Sequence, residues 1–542
     1  MGNLDTTTRY EDVENLTVGD ALKRSAAMVP RKVSVFYKDT ALTFQQLEQE
    51  SNALAASLQA SGIEKGDRVA VYMFNRPELY SVFYALQKIA AVVTWINPGY
   101  RTHELSFILN NSQAKAIFVD KGKEGSDNFA LVRELQSNLP LLQYVISLGG
   151  GDGKNVLHFE GMVSEGRKKD FTRVPIDVHR DLSMLLYTSG TTGVPKGSMI
   201  THYQAVRGGY SHVRGVRATA DDTFMGILPL CHSYGCGTTL IQPILIRASV
   251  ILLETFNAEE ALKTIDAQMP TLQHGSPAHY IMEMNHPRLD TYNLSSLRAG
   301  YLAGQICPEE VIQWGENRNI YLSSSWGNSE VGPGAGTMCP FGTPLEVRKK
   351  SVGMPVPGME LKVVDQATGK QVGTGEVGEM MVKGPNVLKG YWQNPEETDK
   401  QLEKDGWLHT GDLVAVDEKG FVMMYGRSKD LINRGGLKIY PSELESLILQ
   451  HPNVSQVCVV GTSNPVLGES ICACVVPRVN EKISLKEIRD FLKEKVARQK
   501  LPDELCITSD FPKMPGGVKI KKFGAGGVQE MAALDKNREK LR

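Results

Sequence analysis

Tyr187-Thr-Ser-Gly-Thr-Thr-Gly-Val-Pro-Lys-Gly197 follows Met184-Leu-Leu186, an apolar run that reads as a strand end. Four aliphatic hydroxyls, three glycines and one lysine fall within these eleven residues. Glycine lets backbone N–H groups converge on an anion, while hydroxyls and an ammonium add donors and charge. The stretch has the character of a phosphate loop. It is not a G-x-x-x-x-G-K-[ST] loop, because Lys196 precedes its glycine. An ordinary Ser/Thr/Gly surface turn would not need so many donors.

Around this loop, the first 325 residues repeat one rhythm of β-branched runs and amphipathic segments. Arg68 to Phe74, Ala116 to Asp120 and Tyr144 to Leu148 read as strands, and Pro77 to Ala90 as a helix with a proline start. Further strands are expected at Ser249 to Leu253, Leu297 to Leu302 and Asn319 to Ser323. The alternation predicts parallel sheets covered by helices. After about Gly342 the texture changes to short strands (Glu360 to Val364, Gly378 to Lys383, Phe421 to Tyr425) between Gly-rich turns. From Tyr440 onward the order is helix, strand, strand, helix, strand, with helices at Ser442 to Gln450 and Ser484 to Arg498. The fold class is therefore α/β. Residues 1–342 are expected to form βα sheets, 343–426 a small β-barrel-like subdomain, and 427–542 a compact α+β domain. Gly373-Thr-Gly-Glu-Val-Gly378 matches G-x-G-x-x-G in form only: a short strand follows it, not a helix, so it reads as a turn and not a dinucleotide site.

Composition sets limits. At 542 residues the chain exceeds what one core usually serves. Sixty Lys plus Arg oppose 61 Asp plus Glu, which argues against a dedicated nucleic-acid binder. Eight scattered cysteines, with no CxxC pair, fit neither a disulfide scaffold nor a zinc site and point to a reducing, cytoplasmic setting. Cys472 and Cys474, two apart in an apolar run, should share one face of a strand. The most apolar stretch, Leu240 to Leu253, is broken by Pro243 and Arg247, so no stable membrane insertion is expected.

The loop YTSGTTGVPKG resembles the signature of the adenylate-forming superfamily, which includes acyl- and aryl-CoA synthetases, luciferases and peptide-synthetase adenylation domains. Further elements follow in that family's order. They are Leu228-Pro-Leu-Cys-His-Ser-Tyr-Gly235, Trp326-Gly-Asn-Ser-Glu330, Gly406-Trp-Leu-His-Thr-Gly-Asp412 and Gly426-Arg-Ser-Lys-Asp-Leu-Ile-Asn-Arg-Gly-Gly436. The resemblance spans about residues 30 to 523. It implies a two-step reaction. A carboxylate attacks the α-phosphate of ATP to give acyl-AMP and pyrophosphate, then a thiol displaces AMP. An anion must approach a polyanion, so positive charge and oriented dipoles are needed.

The resemblance also implies roles. Thr188, Ser189, Gly190, Thr191, Thr192, Gly193 and Lys196 would hold the β- and γ-phosphates, and Glu330 would bind Mg2+. Trp326, where the family often has Tyr, would stack on adenine beside Gly327. Ser329 stands where Thr is common. Asp412 and Arg427 would hold the ribose, and His232 would stand beside the acyl carboxylate. Lys519, in Phe511-Pro-Lys-Met-Pro-Gly-Gly-Val-Lys-Ile-Lys-Lys522, would bridge carboxylate and α-phosphate. Val518 shifts the register by one, which keeps Lys521 as the alternative, although Lys521 and Lys522 also read as a solvated basic tail. Lys429 falls at the hinge position, and Gly435 and Gly436 would line the path of coenzyme A. The acyl pocket would lie between Tyr234, the Ala299 to Gln305 strip with Ala303 and Gly304, and Gly327. Gly327 offers no side chain to limit the pocket to acetate. Medium-chain, alicyclic and aryl acids all stay open.

The expected activity is that of an ATP-dependent acid:CoA ligase, with a stand-alone enzyme that loads a carrier protein as the alternative. A luciferase or a nucleotide-binding regulator is disfavoured. No feature demands oxygen chemistry, and a regulator would leave Lys519 and the hinge without a task.

Overall fold

In the computed structural model, residues 13–123, 127–189, 195–434, 437–514 and 520–540 are described. They divide into two compact units, Met1–Leu361 with Val382–Leu408, and Lys362–Met381 with His409–Arg542. Compactness divides the small β region, 343–426, between the two units. The position of the expected domain boundary, between 426 and 427, lies within the second of these units.

Within the first unit, the strand order of one sheet is Val156–His158, Tyr144–Leu148, Ala116–Asp120, Arg68–Tyr72, Val92–Trp95, Leu182–Ser189 and Pro195–Thr201. All neighbours are parallel except the last pair, an antiparallel hairpin. Ile117, Val119 and Val145 pack against Leu105, Ile108 and Leu109 of the helix Thr102–Ser112. These runs of β-branched residues are buried on both faces, as a helix-covered parallel sheet requires.

A second sheet in that unit has a parallel centre. Its order runs Tyr321–Trp326, Ala299–Leu302, Leu272–Gln273, Thr223–Gly226, Ser249–Leu252 and Val33–Tyr37. Antiparallel strands flank it, Thr40–Thr43 at one end and Thr337–Met338 then Met354–Pro355 at the other. The hairpin strand Pro195–Thr201 runs straight into the helix His202–Gly215. Thr201 caps that helix: its Oγ1 accepts from Gln204 N–H at 3.3 Å, while Gln204 Oε1 accepts from Thr201 N–H at 2.8 Å. This reciprocal cap fixes where strand becomes helix.

The second unit contains the antiparallel strands Leu408–Val416 and Val422–Arg427. The turn Gly373 to Gly378 leads into the strand Gly378–Lys383, so the G-x-G-x-x-G stretch is a connection between strands. The C-terminal sheet is built on Val454–Asn464, Gly468–Pro477 and Glu504–Ile507. Strict alternation splits its side chains. Ile471, Ala473 and Val475 face the helices Pro441–Ile448 and Leu485–Leu492. Cys472 and Cys474, their sulfurs 4.0 Å apart, join Cys458, Cys506, Phe511 and Val528 on the other face. The expected shared face is there, and two distant cysteines complete it. The expected helix from Ser484 to Arg498 stops at Leu492, because Leu492 and Leu501 enter one core and the chain must turn between them. Among the described residues, no helix is long and apolar enough to cross a membrane.

Four histidines are buried in the first unit. Burial pushes His202, His212 and His279 down to about 4; burial, then the nearby His212, pushes His274 to about 3. Their unfolded value is 6.5, so between pH 6.5 and about 4 the unfolded chain binds more protons and stability falls as pH falls. The unfolding midpoint, followed by circular dichroism, should drop across that window. His202→Asn, which can keep the acceptor for Val18 N–H, should make the drop shallower.

Candidate active site

The hairpin Leu182–Ser189 and Pro195–Thr201 carries the phosphate-loop sequence at its tip, with Thr188 opposite Lys196 and Ser189 opposite Pro195. Gly190, Thr191, Thr192 and Gly193 lie outside the described residues, as do the side chains of Thr188 and Ser189. The chain thus returns as a strand and does not open a helix. Lys196 is buried, 8% exposed, and forms an ion pair with Glu397 of the helix Pro395–Gln401. Its ammonium also lies 5.8 Å from the ring centre of Tyr391.

Glu397 continues a polar chain. Gln401 Nε2 donates to Glu397 Oε1 at 2.8 Å. The Tyr391 hydroxyl lies 2.7 Å from Gln401 Oε1 and 3.0 Å from Glu330 Oε1, and its one proton serves one of them at a time. Burial, then the charge of Glu330, pushes the Tyr391 hydroxyl far above its ordinary range. Tyr391 therefore stays protonated and can act as a donor to the carboxylate. The backbone repeats the link. Leu388 N–H donates to Glu330 O at 2.7 Å, Trp392 N–H to Gly197 O at 2.8 Å, and Met199 N–H to Gly390 O at 3.0 Å. One segment, residues 388–392, thus ties the phosphate hairpin to the turn bearing Glu330. Asn328 Oδ1 shapes that turn by accepting from Val331 N–H at 3.0 Å. Ser329 beside it is buried.

Trp326 ends the strand Tyr321–Trp326, buried with its ring over Gly336. A Cβ on Gly327 would meet Gly334 O at 2.7 Å. Close backbone packing therefore already demands that glycine, whatever it does for a pocket. His232 Nδ1 accepts from Tyr234 N–H at 3.2 Å, and the Tyr234 hydroxyl donates to Tyr301 O at 2.8 Å. Ala303 is buried, while Gly304 has φ +90° with open space where a Cβ would stand. His232, Tyr234 and the Ala299–Leu302 strand thus meet as one group.

In the second unit, Asp412 and Arg427 are cross-strand partners, and Arg427 Nε donates to Asp412 Oδ1 at 3.1 Å. Lys429 sits in the turn Ser428–Asp430; burial, then the nearby Arg427, lowers its pKa. Gly435, Gly436 and Lys519 lie outside the described residues. Lys521 Nζ donates to Ala525 O at 2.6 Å. Lys522, expected to be a solvated tail residue, pairs instead with Glu445 at 2.6 Å. Burial opposes its charge, but Glu445 prevails and the pKa rises.

Residues 22–392 match the AMP-binding enzyme family, and residues 443–517 match the AMP-binding enzyme C-terminal domain. The chain belongs to the AMP-binding enzyme family. A relative described as a putative acyl-CoA synthetase, YngI of Bacillus subtilis (strain 168), is 32% identical, with 94% of this chain and 96% of the relative covered. The medium-chain fatty-acid–CoA ligase of Escherichia coli (strain K12) is 32% identical over 94% of this chain and 89% of its own. Among solved structures, the anthranilate CoA ligase AuaEII in complex with anthranoyl-AMP superposes with a TM-score of 0.86 at 27% identity, covering 94% of this chain and 97% of that one. ATP and CoA are the substrates of AMP-binding acyl-CoA ligases.

Sequence reasoning missed Tyr391, Glu397 and Gln401. The Asn394-Pro395-Glu396-Glu397 helix start was legible, but nothing local says that Glu397 meets a lysine 201 residues away. Glu397→Gln leaves a nearly buried ammonium without its anion, a change that costs about 3 kcal/mol where burial is complete and less here. Its unfolding midpoint should fall clearly below that of the parent, and added ATP should restore more of it than in the parent, because phosphate oxygens supply the missing anion. Scanning calorimetry with and without nucleotide reads both effects.

Proposed function

We propose that this chain is an ATP-dependent acid:CoA ligase, forming acyl-AMP from a carboxylic acid and ATP and then the acyl-CoA thioester with release of AMP. The observation that carries the reading is the polar cluster that runs from Lys196 through Glu397, Gln401 and Tyr391 to Glu330. It couples a phosphate-loop cation to a hard carboxylate inside one family fold. The relatives' names, acyl-CoA synthetase and fatty-acid–CoA ligase, support CoA over a carrier protein as acceptor.

In this reading the residues act as follows. The hairpin tip, Thr188 to Lys196, holds the β- and γ-phosphates, and Lys196 exchanges Glu397 for phosphate oxygens as ATP arrives. Glu330, oriented by Tyr391, holds Mg2+. Magnesium takes oxygen ligands and keeps several waters, so one carboxylate completed by water and phosphate suits it. When bound, the ion supplies charge for phosphate oxygens. Trp326 stacks on adenine beside Gly327 and Ser329. Asp412 accepts from the ribose hydroxyls, with Arg427 already aligned on its carboxylate. His232 borders the acid's carboxylate, and Tyr234, Ala303 and Gly304 border its acyl group.

Lys519 bridges carboxylate and α-phosphate in the first half-reaction. Lys429 serves as the hinge at the boundary between 1–426 and 427–542, so that CoA can then approach along Gly435 and Gly436. A cytoplasmic location accords with eight cysteines that are all free thiols.

AMP release that requires both CoA and an acid, measured over a panel of medium-chain, alicyclic and aryl acids, tests the ligase reading; release that ignores CoA would sink it. Lys519→Ala should lower acid-dependent ATP–pyrophosphate exchange by about a hundredfold or more while sparing thioester formation from supplied acyl-AMP. Exchange that survives would hand the role to another lysine, with Lys521→Ala as the next variant.

A further inference from the structure

Two histidines outside the roles above lie beside the proposed acyl strip. His212 belongs to the helix His202–Gly215, and His274 follows the strand Leu272–Gln273. They are 1% and 3% exposed. His274 Nδ1 accepts from Tyr301 N–H at 3.1 Å, so the proton of the neutral ring sits on Nε2. That Nε2–H has no acceptor, and neither nitrogen of His212 has a partner, among the described residues. Both rings are neutral near pH 7, because burial holds their pKa values far below it.

The surroundings explain why the protein does not answer these atoms. The ring centre of His212 lies 5.9 Å from Tyr234, 6.0 Å from Tyr301 and 6.5 Å from His274. His274 stacks on Tyr301 at 5.5 Å and 15°, with Phe224 at 5.6 Å. The tyrosine hydroxyls are directed elsewhere: Tyr234 donates to Tyr301 O, and Tyr301 lies 3.5 Å from Met338 Sδ. Three orphan polar atoms thus share one aromatic enclosure. Native proteins keep few such atoms, because each forfeits a hydrogen bond it had in water. Tyr234 borders the acyl group in the reading above, and Tyr301 belongs to the Ala299 to Gln305 strip set along the same pocket.

We propose that the acyl group this chain activates carries a hydroxyl that lodges between His212 and His274, accepting from His274 Nε2–H and donating to the unprotonated nitrogen of His212. This rests on the ligase reading and names its substrate class, a hydroxylated carboxylic acid. A hydroxyl is the smallest group that answers both rings. A ketone or ether oxygen can only accept, so it would answer the N–H of His212 and never its unprotonated nitrogen, whereas a hydroxyl answers whichever His212 nitrogen faces it. A second carboxylate would bring a full charge among neutral rings.

The test compares pairs of acids that differ by one hydroxyl, in medium-chain, alicyclic and benzoic series, by CoA-dependent AMP release. In at least one series the hydroxylated member should be favoured in kcat/KM by about a hundredfold or more, as expected for a site built to hydrogen-bond a hydroxyl. His212→Phe should bring that ratio to about one, and His212→Gln, whose amide both donates and accepts, should retain part of it. The ratio is taken within each variant, so partial loss of folded protein does not affect it. A water held between the imidazoles would satisfy them equally; unsubstituted acids would then be used as well as their hydroxylated partners in every series, and the proposal fails. A ratio that survives His212→Phe overturns it too. Turnover of unsubstituted acids alone sinks only this inference, whereas no CoA-dependent release with any acid removes the ligase reading and this proposal together.

Discussion

The buried ammonium of Lys196 is the constraint around which the candidate phosphate site of the first unit is arranged. A charge with 8% exposure needs an anion at all times. ATP supplies one only when it is bound, so the fold must supply another. Glu397 does this from a short helix that begins at Pro395, and the segment before that helix, residues 388–392, is hydrogen-bonded both to the hairpin and to the turn of Glu330. Satisfying one cation therefore aligns the carboxylate proposed to hold the metal. The hairpin closes the sheet antiparallel, and so its outer strand can accept this segment as a further partner, Ser198 opposite Tyr391.

The sequence was most legible where structure is local. The strands Ala116–Asp120, Tyr144–Leu148, Glu360–Val364 and Gly378–Lys383 have the expected bounds, because short β-branched runs between Gly and polar turns leave little freedom. The order of strands was not legible. Val33–Tyr37 pairs with Ser249–Leu252 across more than two hundred residues, a choice made by crossover topology and not by either strand. The cysteine face follows the same rule. The pair at 472 and 474 is read from alternation, whereas Cys458 and Cys506 reach it only through pairing with Cys474.

For the candidate site, motif residues were legible and their supports were not. Asp412 was singled out by its Thr-Gly-Asp context, and Arg427 by its own motif. That they are direct cross-strand partners is a matter of register. Lys522 shows the opposite error. A basic run at the end of a chain reads as solvated, yet one of its three lysines is drawn in by Glu445 on the helix Pro441–Ile448, far away in sequence. Local composition cannot distinguish a lysine with a buried partner from one without.

The polar groups also sort by unit in a way that bears on a two-step reaction. Lys196, Glu397, Gln401, Tyr391 and Glu330 find their partners within the first unit, and Asp412, Arg427, Lys522 and Glu445 find theirs within the second. A reaction that adds a lysine for one step and withdraws it for the next places a demand on such construction, since groups shared between moving parts would be stranded without partners in one of the two states, at the desolvation cost that burial imposes. Self-sufficient sets avoid that cost. In the proposed reaction such sets would leave nucleotide and acyl group as the contacts that change between steps, and a substrate hydroxyl held by His212 and His274 would be fixed wholly within the first unit while the chemistry at its carboxylate proceeds.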